Sequence, residues 1–457
     1  MLDKFTNWME KHFVPVAAKI GANKFLVAIR DAFIAIMPIT MTGAIATLLN
    51  VFFRDLPNNY CPDLHIAEAM TWLISINGNV WWATLAMLSL CFVFALGYQV
   101  AKIYKTDPLA GGLVAFASLI AVTPQIASIT PEGATEAVVG WGFLNYAYLD
   151  AKGLFTALIV GLIASIVYSK MMAKKITIKM PDSVPPAVSR AFASIIPGIT
   201  AIYLCGAAAY VVSLISGGQA IGDIILTYVQ MPFLGLSQGL GAVLIIVLAV
   251  QLLWFFGLHG TNVLGAVIDG TYLTALTMND TLFQAGKPME YIWTRASFDS
   301  YVWMGGAGCT LALVIAVLIF SKRADSQAVA KMSAPMAVFN INEPVVFGMP
   351  IVLNPIYFIP WLLVPAVLTI VAYLVTAAGW VPYCHVVVPW VVPPVLFAFL
   401  ATGGSLAAAL LAAVNLVIAI LIWSFFVILA NRYADDEKKD EAAAQTDEDD
   451  AALFDIE

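Results

Sequence analysis

Long apolar stretches recur along almost the whole of this 457-residue chain. Hydrophobic residues make up 61% of the sequence and charged residues only 11%, against about 45–50% and about 25% in soluble domains. A soluble protein of this length must cover its surface with polar groups, and this chain has too few of them. The surplus apolar surface therefore faces lipid, and the sequence predicts an all-α polytopic membrane protein.

Several stretches are long enough to cross a bilayer, which takes about 20 mostly apolar residues per helix. They are roughly 31–53, 79–100, 109–129, 153–169, 192–216, 241–257, 300–320, 356–377 and 404–430. Two further apolar stretches, 334–354 and 386–401, are broken by proline and glycine. We therefore expect about ten transmembrane helices, together with re-entrant hairpins and interfacial amphipathic helices.

Lysine and arginine mark the cytoplasmic side of a membrane protein. Loops 56–78 and 130–150 carry acidic residues but no lysine or arginine, so they are expected outside. The basic clusters predict a multi-pass membrane protein with cytoplasmic N- and C-termini. These clusters are Lys4 to Arg30, Lys102 and Lys105, Lys170 to Lys179, Lys322 to Lys331, and Arg432 to Lys439.

The number of spans between basic clusters reveals irregular segments. An even number of crossings must separate Lys170–Lys179 from Lys322–Lys331, yet only three clear spans do so. Something in 258–298 must therefore cross or fold back. Between Lys331 and Arg432 the number of uninterrupted spans is already even, so 334–354 and 386–401 fit best as re-entrant hairpins. Transporters place their substrate sites at such discontinuous segments.

The chain divides into four predicted parts. Residues 1–25 form an amphipathic segment that lies on the cytoplasmic membrane surface or, equally well, caps the bundle as an ordinary helix. Two transmembrane units follow, 26–217 and 218–430, and the second opens with a stretch too polar to span. The acidic residues 431–457 are expected to be a disordered cytoplasmic tail.

Several function classes find no support in the sequence. No basic patch with interleaved aromatic residues favours nucleic-acid binding, and no phosphate-binding GxxxxGK[ST] loop favours ATP hydrolysis. The five cysteines are scattered, without the spacing of a metal site. We therefore expect neither a metal nor a cofactor.

His259 is the first of two ionisable residues in the irregular regions. It lies in WFFGLHGTNVLG, where Gly257 and Gly260 allow a sharp turn and Thr261 and Asn262 add hydrogen-bonding groups. An ionisable side chain at membrane depth is costly and is a functional hypothesis by default. The alternative is a helix-end histidine that caps backbone groups.

Glu343 is the second, in FNINEPVVFGMPIVLNP. Its carboxylate cannot lie in lipid uncompensated. Pro344 breaks the chain there, and Asn340 and Asn342 supply amide groups. The alternative is that Glu343 only ties down a hairpin.

Two tryptophans and one charged pair are weaker candidates. Trp254 precedes His259 by five residues, and Trp390 lies in the second broken stretch. Each could stack under a sugar ring, although packing or interface anchoring explains them at least as well. Arg295 and Asp299 have the spacing of an i,i+4 surface ion pair.

At this point the residues resemble a known family. HFVPVAAKIGANKFLVAIRDAFIAIMPITMTG, FFGLHGTNV and NINEPVVFGMPIVLNP are similar to the IIC permease of the bacterial phosphoenolpyruvate-dependent phosphotransferase system, lactose/cellobiose/chitobiose branch. The resemblance implies a sugar-translocating subunit that binds a β-linked disaccharide and presents its 6-hydroxyl for phosphorylation. It implies a homodimer built through the unit 26–217, with the sugar held in 218–430.

The resemblance also implies roles for individual residues. His259 and Glu343 would lie near the 6-hydroxyl as catalytic and sugar-binding groups. Further sugar contacts would come from Asn262, Asn342, Trp254, Gly260, Trp390 and Arg295. The phosphoryl donor would be a cysteine on a separate cytoplasmic IIB protein, supplied in turn by IIA and HPr, so whether this subunit alone counts as an enzyme is left open.

Two other functions remain open from the residues themselves. A proton-coupled disaccharide symporter would also use a buried carboxylate, as its proton site, with the histidine as a gate. A non-transporting membrane scaffold or sensor would have no use for broken helices that carry histidine and glutamate.

Overall fold

The computed structural model describes residues 23–129, 138–181, 183–349 and 351–454. These residues are overwhelmingly helical, which confirms the predicted all-α fold. Nearly all of the predicted amphipathic segment 1–25 lies outside the described residues.

Among the residues that the structure describes, the first half of the chain holds nine α-helices. A π-helical stretch, Val51–Asp55, continues the second helix into the third. The helices are α1 Lys24–Ala35, α2 Met37–Asn50, α3 Leu56–Tyr60, α4 Ile66–Ala69, α5 Thr71–Ala83, α6 Leu88–Ile103, α7 Pro108–Val122, α8 Leu154–Ala173 and α9 Pro186–Ile215.

A small antiparallel hairpin interrupts this half. Strand β1 (Ile126–Ile129) pairs with β2 (Val138–Trp141). The sequence predicts a span over 109–129, but α7 ends at Val122 and the chain is extended by Ile126. The cause is Pro124, which disfavours helical backbone in the residue before it and offers no amide hydrogen.

The second half begins with a bent segment and ends in a long helix. π-helical stretches Leu226–Gln230 and Asp269–Leu273 join consecutive helices. The helices are α10 Ile221–Ile225, α11 Met231–Ser237, α12 Leu240–Phe255, α13 Gly260–Val263, α14 Gly265–Ile268, α15 Thr274–Gln284, α16 Arg295–Tyr301, α17 Thr310–Phe320, α18 Ala324–Val338, α19 Glu343–Gly348, α20 Pro355–Ala377, α21 Leu396–Ala401 and α22 Leu406–Phe454.

Several helices start where the sequence supplies a cap. The Asn23 side chain accepts from the first amides of α1, and Asp107 does so for α7 just before Pro108. Asn354 followed by Pro355 repeats the arrangement at α20. A side-chain oxygen satisfies an amide that has no partner within the helix, and proline fits the first turn because it lacks that amide.

Helices α1, α6, α7, α8 and α9 share one apolar core. Gly97 on α6 faces Gly111 on α7 so closely that a Cβ on Gly97 would lie 2.6 Å from the Gly111 carbonyl oxygen. Small residues allow such close helix contact in membranes, where van der Waals packing replaces the hydrophobic effect.

A second apolar core joins α12, α16, α17, α20, α21 and α22. Its largest buried side chains include Trp361 and Trp423, whose indole nitrogens donate to the Gln251 and Gly308 carbonyls. Val51, just after α2, belongs to this second core. The α2 region therefore links the N-terminal part of the chain to the second unit.

Among the described residues, six helices are long and apolar enough to cross a membrane, or seven if the pair Ile221–Ser237 and Leu240–Phe255, bent by 83°, counts as one span. Shorter apolar helices at Pro108–Val122 and Ala307–Phe320 match further predicted spans. The multi-pass prediction is confirmed, whereas the expected number of about ten helices stays a prediction. Positive φ angles at Gly305 and Gly306 interrupt the stretch predicted at 300–320.

The backbone is broken in all three regions where the sequence predicts irregularity. Between 258 and 298 the short helices α13 to α15 follow one another around a π-helical turn. Between 334 and 354 the chain turns at Asn340, with φ 63°, between α18 and α19. In 386–401 it is irregular until α21. The depth of these segments in a membrane stays a prediction.

The last helix reaches into the acidic stretch 431–457, whose disorder stays a prediction. Helix α22 continues without a break from Leu406 to Phe454. Alanine, glutamate and lysine are good helix formers, and extending an existing helix avoids the cost of nucleation.

Candidate functional site

A cavity of about 380 Å³ lies between α1 and α2 on one side and the irregular segments of the second unit on the other. Sites for small molecules typically measure about 300–1,000 Å³. The N-terminal side is largely apolar and includes Phe33, Ile36, Met37, Thr40 and Ala44. The opposite side brings together most of the polar residues that the sequence singles out.

His259 lies at the junction between α12 and α13. Its Nδ1 accepts from the Asn262 backbone amide at 3.3 Å and lies 3.0 Å from the Thr261 hydroxyl oxygen. Because Nδ1 accepts a hydrogen bond, the proton of the neutral ring belongs on Nε2. The histidine therefore caps the helix that follows it and at the same time presents Nε2 to the cavity.

Glu343 is the first residue of α19, and its carboxylate faces that imidazole. The distance from His259 Nε2 to Glu343 Oε1 is 3.6 Å, which is too long for a good hydrogen bond. The two side chains keep 37% and 47% of their surface exposed. A hydroxyl placed between them can therefore contact both groups.

The Asn342 side chain holds the start of α19 against a neighbouring loop. Its side chain is buried, and its Nδ2 donates to the Ala307 carbonyl at 3.4 Å. Gly306 makes this approach possible, since its φ is +97° and a Cβ there would lie 2.6 Å from the Asn342 Cβ. Asn342 thus lines the cavity mainly as a support for Glu343.

Asn340 joins two irregular segments behind the site. Its Oδ1 accepts from the Gly305 amide at 2.7 Å, while its Nδ2 donates to the Trp390 carbonyl at 2.7 Å and the Val392 carbonyl at 2.9 Å. Asparagine tolerates the left-handed backbone found here better than most residues. The side chain holds the α18–α19 turn against the loop that carries Trp390.

The two candidate tryptophans both line the cavity. Trp254 is only 2% exposed, and its ring centre lies 4.4 Å from the His259 ring. Its ring packs against the imidazole, and whether it also contacts a sugar stays a prediction. Trp390 is partly exposed in the loop opposite.

Arg295 belongs to a three-residue ionic cluster on the cavity wall. Its Nε lies 3.1 Å from Asp269 Oδ1, and its Nη1 lies 2.5 Å from Asp299 Oδ2. The guanidinium also lies 5.6 Å from the centre of the Trp303 ring. These side chains are mostly buried, so the pair that the spacing suggests is part of a cavity wall rather than a free surface.

Gly260, unlike the other predicted site residues, is not among the residues that line the cavity. It is buried, and a Cβ there would overlap the Val250 backbone of α12. The glycine is needed for the close packing of α13 on α12. Asn262, by contrast, lines the cavity together with His259.

Sequence reasoning missed two parts of the site. Asp269 is an ionisable residue within 258–298, and the rule that selects His259 and Glu343 would have found it as well. The wall formed by α1 and α2 had no sequence signal, because its residues are ordinary members of apolar helices.

Comparisons with known proteins agree with this arrangement. The family model described as "Phosphotransferase system, EIIC" matches residues 30–365. The cellobiose-specific EIIC component of Lactococcus lactis subsp. lactis (strain IL1403) is 38% identical over 94% of this chain and 99% of its own length. The oligo-beta-mannoside-specific EIIC component of Bacillus subtilis (strain 168) is 35% identical over 93% and 92%.

A solved structure gives the same result at the level of fold. The transporter ChbC, the IIC component from the N,N'-diacetylchitobiose-specific phosphotransferase system, superimposes with a TM-score of 0.87 and 32% identity, over 94% of this chain and 99% of that one. The resemblance found in the HGTN and NEP segments is therefore confirmed. The chain belongs to the phosphotransferase system EIIC family, and it is a membrane-embedded, sugar-translocating subunit that works with a separate IIB partner.

Proposed function

We propose that this protein binds a β-linked disaccharide in the 380 Å³ cavity and presents the sugar's 6-hydroxyl to Glu343 and His259. The observation that carries the proposal is the pair itself. An acceptor-only carboxylate and an imidazole N–H stand 3.6 Å apart, both open to the cavity. A primary hydroxyl can donate to the first and accept from the second.

The rest of the cavity suits a neutral sugar. The Asn262 amide and the guanidinium of Arg295 offer hydrogen bonds to hydroxyls, and Trp390 offers a flat apolar face. The relatives named above carry cellobiose, oligo-beta-mannoside or N,N'-diacetylchitobiose in their names. A β-linked sugar of two or more units is the chemistry that these names share, and two of the three name a disaccharide.

The phosphoryl step then follows from the pair. The donor is a phosphocysteine on IIB. As the sugar O6 attacks phosphorus, Glu343 takes the hydroxyl proton, the P–S bond breaks, and its electron pair leaves with the cysteine thiolate. His259 orients the hydroxyl and stabilises charge on the incoming phosphoryl group. Such transfers depend mainly on positioning and electrostatics, which is what these two side chains supply.

The wider assembly is also part of the proposal. IIA and HPr would recharge the IIB cysteine, and two copies of the chain would form a homodimer through residues 26–217. The protein would lie in the bacterial inner membrane with both termini in the cytoplasm, as the lysine and arginine clusters favour.

Uptake into membrane vesicles tests this function. With the cognate IIB, IIA and HPr supplied, we expect phosphoenolpyruvate-dependent uptake of a labelled β-disaccharide and a 6-phosphosugar as product. A small panel of cellobiose, lactose and diacetylchitobiose would identify the preferred sugar. Uptake of unmodified sugar that collapses when an uncoupler is added would instead favour the symporter, which the family membership does not support.

A further inference from the structure

The charged side chains of the cavity do not balance. Among the described residues that line it, three carboxylates (Asp269, Asp299 and Glu343) stand against one guanidinium, that of Arg295. Acidic side chains therefore outnumber the arginine on this cavity wall by three to one.

The position of Arg295 makes this imbalance informative. A lone arginine in a sugar site would bind phosphate through two parallel hydrogen bonds. Here Asp269 and Asp299 contact the guanidinium at 3.1 and 2.5 Å. Two carboxylates already pair with its charge, so this guanidinium is not free to attract an anion.

Glu343 adds a like charge at the reacting end. If the proposed function holds, the 6-phosphate forms beside Glu343 and carries about −1.5 to −2 charges at pH 7. Glu343 is again an anion once it has released the proton that it takes from the sugar. Repulsion between like charges is much stronger in a partly buried cavity than in water. A neutral sugar meets no such penalty, because its hydroxyls can donate to carboxylates and accept from the guanidinium.

We propose that the Asp269–Arg295–Asp299 cluster, together with Glu343, makes the cavity reject anionic sugars, including its own phosphorylated product. Phosphorylation then does more than trap the sugar in the cell: it converts a bound ligand into one that the site repels. The same charges exclude sugars that bear a carboxylate. This inference rests on the proposed function, because it takes the cavity as the sugar site.

Competition binding to the purified full-length protein tests the idea. The unlabelled sugar, its 6-phosphate and its uronic-acid analogue each compete separately with a labelled β-disaccharide, and the affinity of each competitor is measured. We expect both anionic ligands to bind at least about tenfold more weakly than the neutral sugar, given the like charges around the site.

Neutralising Asp269 and Asp299 should reduce the preference of the cavity for the neutral sugar over its 6-phosphate. The double variant Asp269→Asn/Asp299→Asn leaves Arg295 unneutralised and should bind the 6-phosphate relatively better, by about tenfold or more in the ratio of affinities. Asp223→Asn is the matched control. Asp223 accepts a hydrogen bond from the Tyr148 hydroxyl and does not line the cavity, so its neutralisation should leave the ratio unchanged.

The outcomes separate the two proposals. If the wild-type protein binds the neutral sugar and the 6-phosphate equally well, the charge inference is wrong while the function stands. An unchanged ratio in a folded double variant has the same meaning. If the wild-type protein binds neither ligand, the cavity is not the sugar site, and both proposals fail. The comparison of neutral and anionic ligands on the wild-type protein does not depend on whether any variant folds.

Discussion

Nε2 of His259 stands 3.6 Å from Oε1 of Glu343 although the two residues come from different broken segments of the chain. The imidazole accepts from the Asn262 amide through Nδ1, and Glu343 is the first residue of α19. The contact of the histidine does not use Nε2, which stays open to the cavity.

Glu343→Gln keeps the shape of the side chain but removes the proposed base. We expect sugar phosphorylation and uptake to fall by at least about 100-fold, the usual contribution of a general base, while membrane insertion stays intact. Vesicle uptake and the amount of protein in the membrane fraction measure the two effects. Glu290→Gln, at an exposed position, is the control. Normal uptake by Glu343→Gln would exclude the assigned role.

Substitution of His259 can separate its two contacts. Asparagine is a good helix cap, so His259→Asn should keep the stability of the α12–α13 junction while losing the Nε2 group and most of the phosphorylation. His259→Ala should lose both, with a further destabilisation of about 1 kcal/mol from the missing cap. Thermal unfolding in detergent and phosphorylation assays on the same samples distinguish them. Equal unfolding temperatures would show that the cap contributes nothing.

Asn340 should not tolerate replacement by aspartate. Its Nδ2 donates to the Trp390 and Val392 carbonyls, and a carboxylate there can only accept. We expect Asn340→Asp to destabilise the protein by about 1–3 kcal/mol and to weaken sugar binding.

Asn354→Asp is the matched control for Asn340→Asp. The Asn354 side chain accepts from the Ile356 amide at 3.0 Å, a role that aspartate performs equally well. Thermal unfolding of the two variants should therefore differ clearly. Similar melting would contradict the role given to the Asn340 donor group.

Gly306→Ala tests whether space or backbone conformation matters behind Glu343. Both Gly306 and Gly218 have strongly positive φ, but only Gly306 faces a neighbour, Asn342, within 4 Å of an added Cβ. Alanine should strain the backbone at both sites, and at Gly306 it should add about 1–3 kcal/mol of overpacking. Sugar binding should fall only in Gly306→Ala. An equal effect in Gly218→Ala would mean that backbone strain alone is responsible.

Much of the architecture could be predicted because a bilayer leaves few choices. Apolar runs of the right length must be helices, and the lysine and arginine clusters require an even number of crossings between them. The same reasoning places the breaks at 258–298 and 334–354, where the structure does interrupt its helices. The β1–β2 hairpin was missed, since Pro124 ends the helix that the apolar composition of 109–129 predicts.

The sequence by itself determined that His259 and Glu343 are the leading candidates, since an ionisable side chain in an apolar environment is costly and is a functional hypothesis by default. Only the tertiary structure decided what they face. Asp269 joins Arg295, Asn340 holds the loop of Trp390, and Gly260 serves packing rather than the cavity surface. The hydrophobic pattern of a sequence indicates which segments are buried. It does not indicate which residues distant in sequence will be in contact, because those contacts form only when the helices pack.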